Sequence, residues 1–419
     1  MTSTPPVASA PRATAAPPRS AVVRDDALLR YDFGPSHPMS PIRLRLTWDL
    51  VAAEGLLDRP GVATLPAPIA SDQELEHLHT PEYIDLVRAA SDPASPPERS
   101  ELIRYGLAGD DVPVFAGMHE AAARIVGGSL AAASAIADGT VTRAVNVAGG
   151  MHHARSSQAS GFCIYNDAAL AIDRLLERGQ QRVLYVDLDA HHGDGVERAL
   201  WEEPRAITFS IHETGEVLFP GTGFVQDTGG SRAPGTAVNL PLPPRTGADA
   251  WLRALRAVLP ALARAVRPTV IVSQHGVDAH RDDPLSDLRV TLEAQQAAAV
   301  LVRDLADELC EGRWLALGGG GYAVTDVVPR AWTHLVAIAT GSPIDPEATL
   351  PDGYLDRARR IAREVGAPEP PAVRTYGDHR PLSVRDWGEG YDPEDDLDRA
   401  VQACRRVAFP EWGLDPFFD

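Results

Sequence analysis

Two aspartates and one histidine that could bind a metal ion stand in the segments DLDAHHGDG and IVSQHGVD. Residues i and i+2 of an extended segment face the same side, so Asp189 and His191 can converge on one ion. Asp278, which follows a second apolar run, is well placed to supply a third ligand. Three protein ligands leave one coordination position open, as in catalytic rather than structural metal sites. The oxygen-rich set fits Zn²⁺ and is also compatible with Fe²⁺ or Mn²⁺.

Two adjacent histidines, His152 and His153, follow a Gly-Gly pair. A neutral imidazole titrates near physiological pH and can take a proton from a water molecule at a metal. Each ring needs a carboxylate behind it to fix its tautomer, and Asp187 and Asp194 are the natural candidates. We therefore predict two proton-transfer groups beside the metal ligands.

A glycine run, LALGGGGY, ends in Tyr322. It lacks the Lys-Ser/Thr pair of a phosphate-binding P-loop. Glycines let the backbone approach a site closely, and a tyrosine hydroxyl can donate to a developing oxyanion. An ordinary packed aromatic is the alternative reading of this tyrosine.

The elements that must position these residues alternate between apolar strands and helices. The segments RVLYVDLD and PTVIVSQHG are continuously apolar, which is typical of a parallel sheet covered by helices on both faces. In such sheets ligands bind outside the carboxyl ends of the strands. The sequence predicts one α/β domain over about residues 23–345. Its predicted strands are Leu28–Tyr31, Ala144–Val147, Arg182–Asp187, Ala206–Ile211, Thr269–Ser273 and Trp314–Leu317.

The two ends of the chain differ in composition from this domain. Residues 1–22 are mostly Pro, Ala, Ser and Thr and cannot bury enough surface to offset the entropy of ordering, so we predict a disordered tail. Residues 346–419 are rich in Pro, Asp and Arg. This C-terminal extension is predicted to pack on the domain or to be partly flexible, with Trp412, Phe417 and Phe418 as anchors.

Charge and cysteine content narrow the class of protein. The formal net charge is −19, from 39 basic and 58 acidic residues, which argues against direct nucleic-acid binding. It suits a basic, lysine-bearing partner, or it simply keeps the protein soluble. The chain has neither an apolar run of about 18 residues nor a compact apolar segment at its start, which argues against a membrane helix and a signal peptide. The three scattered cysteines fit a reducing cytoplasm, and we expect a cytoplasmic protein.

Five segments in one order, GGMHHA, SGFCIYND, DLDAHHGDGV, FPGTG and LGGGGY, resemble the zinc-dependent histone deacetylase family. The resemblance runs from DFGPSHPMSPIRLRLTWDL to about Gly341 and points to class I enzymes and bacterial acetoin-utilisation deacetylases. It implies an arginase/deacetylase-like fold and a metal-dependent enzyme that removes acetyl groups from lysine side chains of proteins. His275 stands where class I enzymes usually carry cysteine, which shifts the comparison towards the bacterial branch.

The resemblance also implies a role for each matching position. Zn²⁺ would be bound by Asp189, His191 and Asp278. His153 would be the general base and His152 its acid or electrostatic partner, with both rings oriented by Asp187 and Asp194. Tyr322 would polarise the acetyl oxygen.

Further positions are implied around the substrate and a second ion. Gly161, Phe162 and Phe219 would form a narrow tunnel around the acyl-lysine stem. Leu285 would lie at its wall, Asp111 at its rim, and Arg43 in a cavity through which acetate leaves. A structural K⁺ would be bound by Asp187 and by backbone carbonyls near Asp189, His191, Ser210 and Ile211.

Three other functions remain open. An acetylpolyamine or other small-molecule amidohydrolase would share the metal ligands, although HPMSPIR favours the protein-directed branch. An arginase-like two-metal hydrolase would need a further carboxylate beside Asp278, yet position 280 is histidine. A non-catalytic acetyl-lysine reader is the third. Among protein substrates, the bacterial branch suggests acetyl-CoA synthetase.

Overall fold

The computed structural model describes residues 19–419. Its eight strands form one sheet, and every pairing is parallel. The strands are β1 (Ser20–Val23), β2 (Val62–Leu65), β3 (Arg143–Asn146), β4 (Val183–Asp187), β5 (Ala206–Glu213), β6 (Ala237–Leu242), β7 (Val270–Gln274) and β8 (Trp314–Leu317). Their order across the sheet is β2-β1-β3-β8-β7-β4-β5-β6.

Twelve α-helices are assigned in the described chain. They are α1 (Ile42–Ala53), α2 (Asp72–Leu75), α3 (Pro81–Ala90), α4 (Arg99–Arg104), α5 (Met118–Ala137), α6 (Asp167–Glu177), α7 (Asp194–Leu200), α8 (Ala248–Val266), α9 (Leu292–Leu309), α10 (Val327–Ala339), α11 (Tyr354–Val365) and α12 (Asp396–Ala408). Four short 3₁₀ helices are also present: Asp26–Arg30, Leu56–Asp58, Trp387–Glu389 and Phe409–Trp412.

Helices cover the sheet in two rows. In one row α5, α6 and α7 contact one another in turn and pack on the sheet. In the other, α10, α9, α8 and α12 contact one another in turn, and α1 packs on α10. Every residue of β3, β4, β7 and β8 is buried, as expected for strands covered on both faces. The predicted α/β fold with a single, mainly parallel sheet is confirmed.

The predicted start of the domain needs correction. Residues 1–18 of the predicted disordered tail lie outside the described residues, whereas Ser20–Val23 form β1, which pairs with β2 and β3. The strand predicted at Leu28–Tyr31 is wrong, because Asp26–Arg30 is a 3₁₀ helix. The side chain of Asp25 accepts a hydrogen bond from Ala27 N–H and starts that helix as an N-cap.

The C-terminal extension contains α11 and α12, which contact α1 and α8. Trp412 donates from its indole N–H to the carbonyl of Gly235, at 2.9 Å. Phe417 and Phe418 are 56% and 90% exposed, so the prediction that they are anchors is wrong.

The three cysteines are unpaired and buried, so none of them forms a disulfide. Over residues 19–419, every helix is too short or too polar to cross a membrane. The cytoplasmic location stays a prediction.

Candidate metal and proton-transfer site

Four loops that carry the predicted site residues meet at one edge of the sheet. They follow β3, β4, β7 and β8, four strands that lie side by side and run in the same direction. His152 and His153 come after β3, Asp278 after β7 and Tyr322 after β8. The carboxyl ends of the central strands therefore bring these residues together, as the fold class predicts.

Asp189, His191 and Asp278 form a compact set of three potential metal ligands, which we call the buried group. One ligand atom from each residue lies within 4.8 Å of the others. The Nδ1 atom of His191 lies 3.1 Å from Asp189 Oδ1 and 3.0 Å from Asp278 Oδ2. Both carboxylates are fully buried, and the histidine side chain is 10% exposed.

Neighbouring groups hold these two carboxylates in place. Gln274 Nε2 and the N–H of Gly320 donate to Asp189 Oδ2, at 2.7 and 2.9 Å. Ala190 N–H donates to Asp278 Oδ1 at 2.8 Å. A Cβ atom on Gly320 would lie 2.1 Å from Asp278 Oδ2, so only glycine lets the backbone pass this close.

The buried group fits a divalent cation. Burial, and next the negative charge of Asp189, raise the pKa of Asp278 above its ordinary value. Two carboxylates side by side in a buried place repel each other, and a bound cation would remove that repulsion. The set of one imidazole and two carboxylates suits Zn²⁺ and also Fe²⁺.

The two adjacent histidines each pair with the predicted aspartate. His152 Nδ1–H donates to Asp187 Oδ2, and His153 Nδ1–H donates to Asp194 Oδ1, both at 2.8 Å. The ring centroids of the two histidines are 4.0 Å apart. Because Nδ1 is engaged in each ring, Nε2 is the nitrogen left for chemistry.

The surroundings of the two rings shift their pKa values in opposite directions. Burial disfavours the charged form of His152, but the carboxylates of Asp187 and Asp189 outweigh burial and raise its pKa to about 9. Burial and the positive charge of His152 lower the pKa of His153 to about 4. At neutral pH His152 is therefore charged, whereas His153 is neutral and able to accept a proton.

Two phenylalanines and Tyr322 provide aromatic side chains next to the two histidines and the buried group. The Phe219 ring packs on His153, at 5.0 Å between centroids, and on His191 at 6.3 Å. The Phe162 ring packs edge-on against Tyr322 at 5.5 Å. Burial raises the pKa of Tyr322 well above its ordinary value, so its hydroxyl keeps its proton and remains a donor.

The other predicted substrate residues lie around these rings. Gly161 N–H donates to Asp111 Oδ2 at 2.8 Å, so this carboxylate holds the loop of Phe162. Arg43 is buried and donates to the carbonyls of Gly319 and Gly321, at 3.0 and 3.2 Å, rather than to a reacting side chain.

Leu285 and the residues predicted to bind K⁺ lie on the loop after β7 and on or just after the neighbouring strands β4 and β5. Leu285 is half-buried, and its N–H donates to Asp283 Oδ1 at 3.1 Å. Ser210 on β5 lies opposite Asp187 on β4 in the sheet register. Ile211 is the next residue of β5 and is fully buried. The tunnel-wall role and the K⁺ site stay predictions.

Several supporting residues were given no role by the sequence analysis. Tyr185 donates its hydroxyl to Asp187 Oδ2 at 2.8 Å, and Arg155 donates to Asp194 Oδ2 at 2.8 Å. Asp283 Oδ2 accepts from the N–H of Tyr322 at 2.7 Å. Asp283 and Arg155 stand beside predicted site residues in the sequence, which is the only signal that could have identified them.

A second set of potential metal ligands, the surface group, consists of His77, Asp173 and Glu177. Its histidine Nδ1 lies 2.9 Å from Asp173 Oδ2 and 3.4 Å from Glu177 Oε1. These side chains are 35%, 42% and 44% exposed. Arg174 Nε lies 3.7 Å from Glu177 Oε2 and already neutralises part of its charge.

His280 is not part of the buried group. Its side chain is fully buried and its Nε2 lies 2.8 Å from Asp378 Oδ2, in the C-terminal extension. Position 280 therefore adds no ligand for a second metal beside Asp278, unlike what an arginase-like two-metal site would need.

Known proteins resemble this chain over most of its length. The family model described as the histone deacetylase domain matches residues 37–339. The acetoin utilization protein AcuC of Bacillus subtilis (strain 168) is 43% identical over 325 residues, which are 78% of this chain and 82% of that protein. The protein of the same name from Staphylococcus xylosus is 39% identical over 330 residues, or 79% of this chain and 84% of that one.

A solved structure shares the fold. The crystal structure described as an HDAC homolog complexed with SAHA superposes with a TM-score of 0.76 at 27% sequence identity. The match covers 92% of this chain and 99% of that one. The C-terminal extension lies outside the residues that the family model matches.

Proposed function

This chain belongs to the histone deacetylase family, and from that premise we propose that it hydrolyses the acetyl amide on lysine side chains of proteins, releasing acetate. The observation that carries the proposal is the pair of histidine–aspartate hydrogen bonds beside the buried group. A neutral base, a charged acid, a hydroxyl donor and a candidate metal site meet at the ends of the central strands. Metal-assisted amide hydrolysis uses each of these parts.

His153 serves as the general base in this proposal. Asp194 accepts from its Nδ1–H and so leaves Nε2 free to take a proton from the attacking water. Burial, and next the charge on His152, lower the pKa of His153 to about 4 and so keep this ring neutral at physiological pH. Burial raises the pKa of Asp194, but the hydrogen bonds from His153 and, next, from Arg155 outweigh burial and lower that pKa to about 2, so the carboxyl stays ionised.

The charge that develops on the acetyl oxygen needs a donor, and Tyr322 is the one proposed. Its raised pKa keeps the hydroxyl protonated throughout the neutral range. A histidine imidazolium then gives a proton to the lysine nitrogen, so that this nitrogen leaves as a neutral amine when the C–N bond breaks. Phe162 and Phe219 would pack against the apolar, aliphatic stem of the acyl-lysine.

The buried group would hold the metal. We propose Zn²⁺, with Fe²⁺ as the alternative, and a structural K⁺ near Asp187 and Ser210. When bound, the divalent ion would act as a Lewis acid that polarises the amide carbonyl and acidifies a water molecule. Elemental analysis of protein purified without added metal distinguishes zinc from iron.

An acetylated protein is the proposed partner, since a chain with net charge −19 attracts basic, lysine-bearing surfaces. Acetyl-CoA synthetase is a candidate because the acetoin-utilisation branch suggests it. Neither nucleic-acid nor membrane binding is part of the proposal.

The test compares turnover on an acetyl-lysine peptide with turnover on acetylspermidine and acetylputrescine. We expect a higher kcat/KM on the peptide. Faster turnover of the polyamines would replace the proposal with a small-molecule amidohydrolase. Tight peptide binding by metal-loaded protein with no acetate release would make the chain a reader instead.

A further inference from the structure

Asp378 in the C-terminal extension reaches the loop that follows β7. Its side chain is only 4% exposed. Oδ2 accepts from His280 Nε2–H at 2.8 Å and from Leu292 N–H at 2.9 Å, and Oδ1 accepts from Arg330 at 3.2 Å. This buried carboxylate is thus fully partnered, which is what its burial requires.

The hydrogen bonds continue from His280 into the site. His280 Nδ1 accepts from Asp282 N–H at 3.1 Å, which fixes the tautomer in which Nε2 carries the proton that Asp378 accepts. The carbonyl of His280 accepts from Asp283 N–H at 2.8 Å. Asp283 Oδ2 in turn accepts from the N–H of Tyr322 at 2.7 Å.

This chain of contacts spans the turn that carries one ligand of the buried group. Asp278 lies two residues before His280, so the turn held by Asp378 sets the direction of that ligand. The same turn, through Asp283, holds the backbone of Tyr322. One side chain from outside the family-matched residues 37–339 therefore supports two parts of the site.

We propose that Asp378 is a positioning residue for the active site, acting through His280 on Asp278 and through Asp283 on Tyr322. The inference rests on the proposed function for its effect on turnover. Its effect on metal affinity does not depend on which substrate the protein uses. In either case, residues 37–339 alone do not make a complete site.

A matched control exists in the same extension. Asp398 is also fully buried and pairs with Arg253 of α8 and with Arg385. Its partners lie away from the loops that carry the site. Loss of Asp398 therefore reports what a purely structural buried ion pair contributes to this extension.

The experiment compares Asp378→Ala and Asp378→Asn with Asp398→Ala in the full-length protein. We measure Zn²⁺ affinity by competition with a chromophoric chelator, kcat and KM on an acetyl-lysine peptide, and the melting temperature. Asp378→Ala should weaken Zn²⁺ binding and lower kcat by up to about tenfold, less than the roughly 10- to 100-fold that loss of a direct hydrogen-bond partner of a metal ligand costs. KM should change little. Asp398→Ala should lower the melting temperature while leaving kcat and Zn²⁺ affinity within about twofold of wild type.

A double-mutant cycle tests the route through His280. If Asp378 acts through that ring, Asp378→Ala combined with His280→Ala should cost little more in Zn²⁺ affinity than either change alone. Additive losses would contradict the route.

Equal kcat and Zn²⁺ affinity in the Asp378 variants and wild type would overturn the proposal, as would equal losses in the Asp398 variant. If Asp378→Ala does not fold, Asp378→Asn, which keeps the shape, decides. Wild-type protein that binds Zn²⁺ but cleaves no acetyl-lysine would refute the proposed function while leaving the metal-affinity test intact.

Discussion

The buried group and the surface group each bring one histidine and two carboxylates within 4.8 Å, yet they differ in what surrounds them. The buried group lies on loops after β4 and β7, where backbone and glutamine N–H groups fix its carboxylates. The surface group places Asp173 and Glu177 one turn apart on α6, with side chains that are 35–44% exposed. Only the buried group has two histidine–aspartate pairs beside it among the described residues.

Ligand types alone therefore do not define a catalytic metal site. Exposed carboxylates are solvated by water and gain little from a cation, whereas buried ones repel each other until a cation arrives. We therefore expect tight metal binding and chemistry at the buried group alone.

The largest effect is expected from removing one ligand at each place. His191→Ala should lose the metal and lower turnover by far more than the roughly 100-fold that loss of an outer-shell partner costs. His77→Ala should leave both metal content and turnover unchanged. Elemental analysis and kcat measured on the two variants and wild type check this expectation. A drop in metal content or turnover in the His77 variant would remove the contrast between the two groups.

Tyr322→Phe should lower kcat by about 100- to 1000-fold while metal content stays unchanged, because one oxyanion donor is lost. This separates the chemistry around the buried group from its metal binding. Steady-state kinetics and elemental analysis of the same sample provide the measurement. Near-normal turnover would show that Tyr322 takes no part in the reaction.

Gly161→Ala should lower kcat/KM by roughly 10- to 100-fold, because small misplacements of a reacting group are costly. A Cβ atom there would lie 2.2 Å from Cδ2 of His153, and the φ angle of +54° also disfavours alanine. Gly247→Ala is the control, since its Cβ would meet nothing within 4 Å. Similar activity in both variants would mean that the His153 ring tolerates displacement.

The smallest effect is the pH dependence of stability that comes from His275, a buried histidine three residues before Asp278. Burial lowers the pKa of His275 to about 3, against roughly 6.5 in an unfolded chain. Between these values the unfolded chain binds the extra proton, so stability falls as pH drops from about 6.5 towards 3. The loss from this histidine between pH 7.5 and 5 should be about 2 kcal/mol.

Denaturant unfolding of wild type and His275→Cys at both pH values measures that loss. Cysteine takes up no proton in this range, so the variant should lose about 2 kcal/mol less than wild type. A difference in packing between His275 and Cys changes the free energy of unfolding by the same amount at both pH values, so it cancels in the comparison. Parallel losses would show that His275 is not a buried neutral histidine.

The central strands could be predicted from the sequence because burial on both faces leaves an unbroken apolar run. The ligands Asp189 and His191 could be predicted because they share one short segment with a spacing of two. β1 could not, since the four residues SAVV stand next to a Pro- and Ala-rich stretch with no pattern of its own. The burial of β1 depends on β2 and β3, whose paired residues lie 42 and 123 positions further along the chain.

The residues that hold the site residues in place could be predicted even less well from the sequence. Asp283 lies in the predicted segment, but which atom it faces depends on the turn around His280. Asp378 follows His280 by 98 residues, in a stretch without hydrophobic periodicity. Hydrogen bonds across such distances leave no local pattern in a sequence.

The position of β8 has a consequence for how the chain assembles during synthesis. β1, β2 and β3 form one block of the sheet, and β4, β5, β6 and β7 form the other. β8 is the last strand to leave the ribosome, and it alone joins the two blocks through its pairing with β3 and β7. Contacts this distant in sequence form slowly, and we expect the inner edges of both blocks to stay unpaired until β8 has been synthesised. Tyr322 follows that strand directly, so its hydroxyl can join the site only after β8 has connected the two blocks.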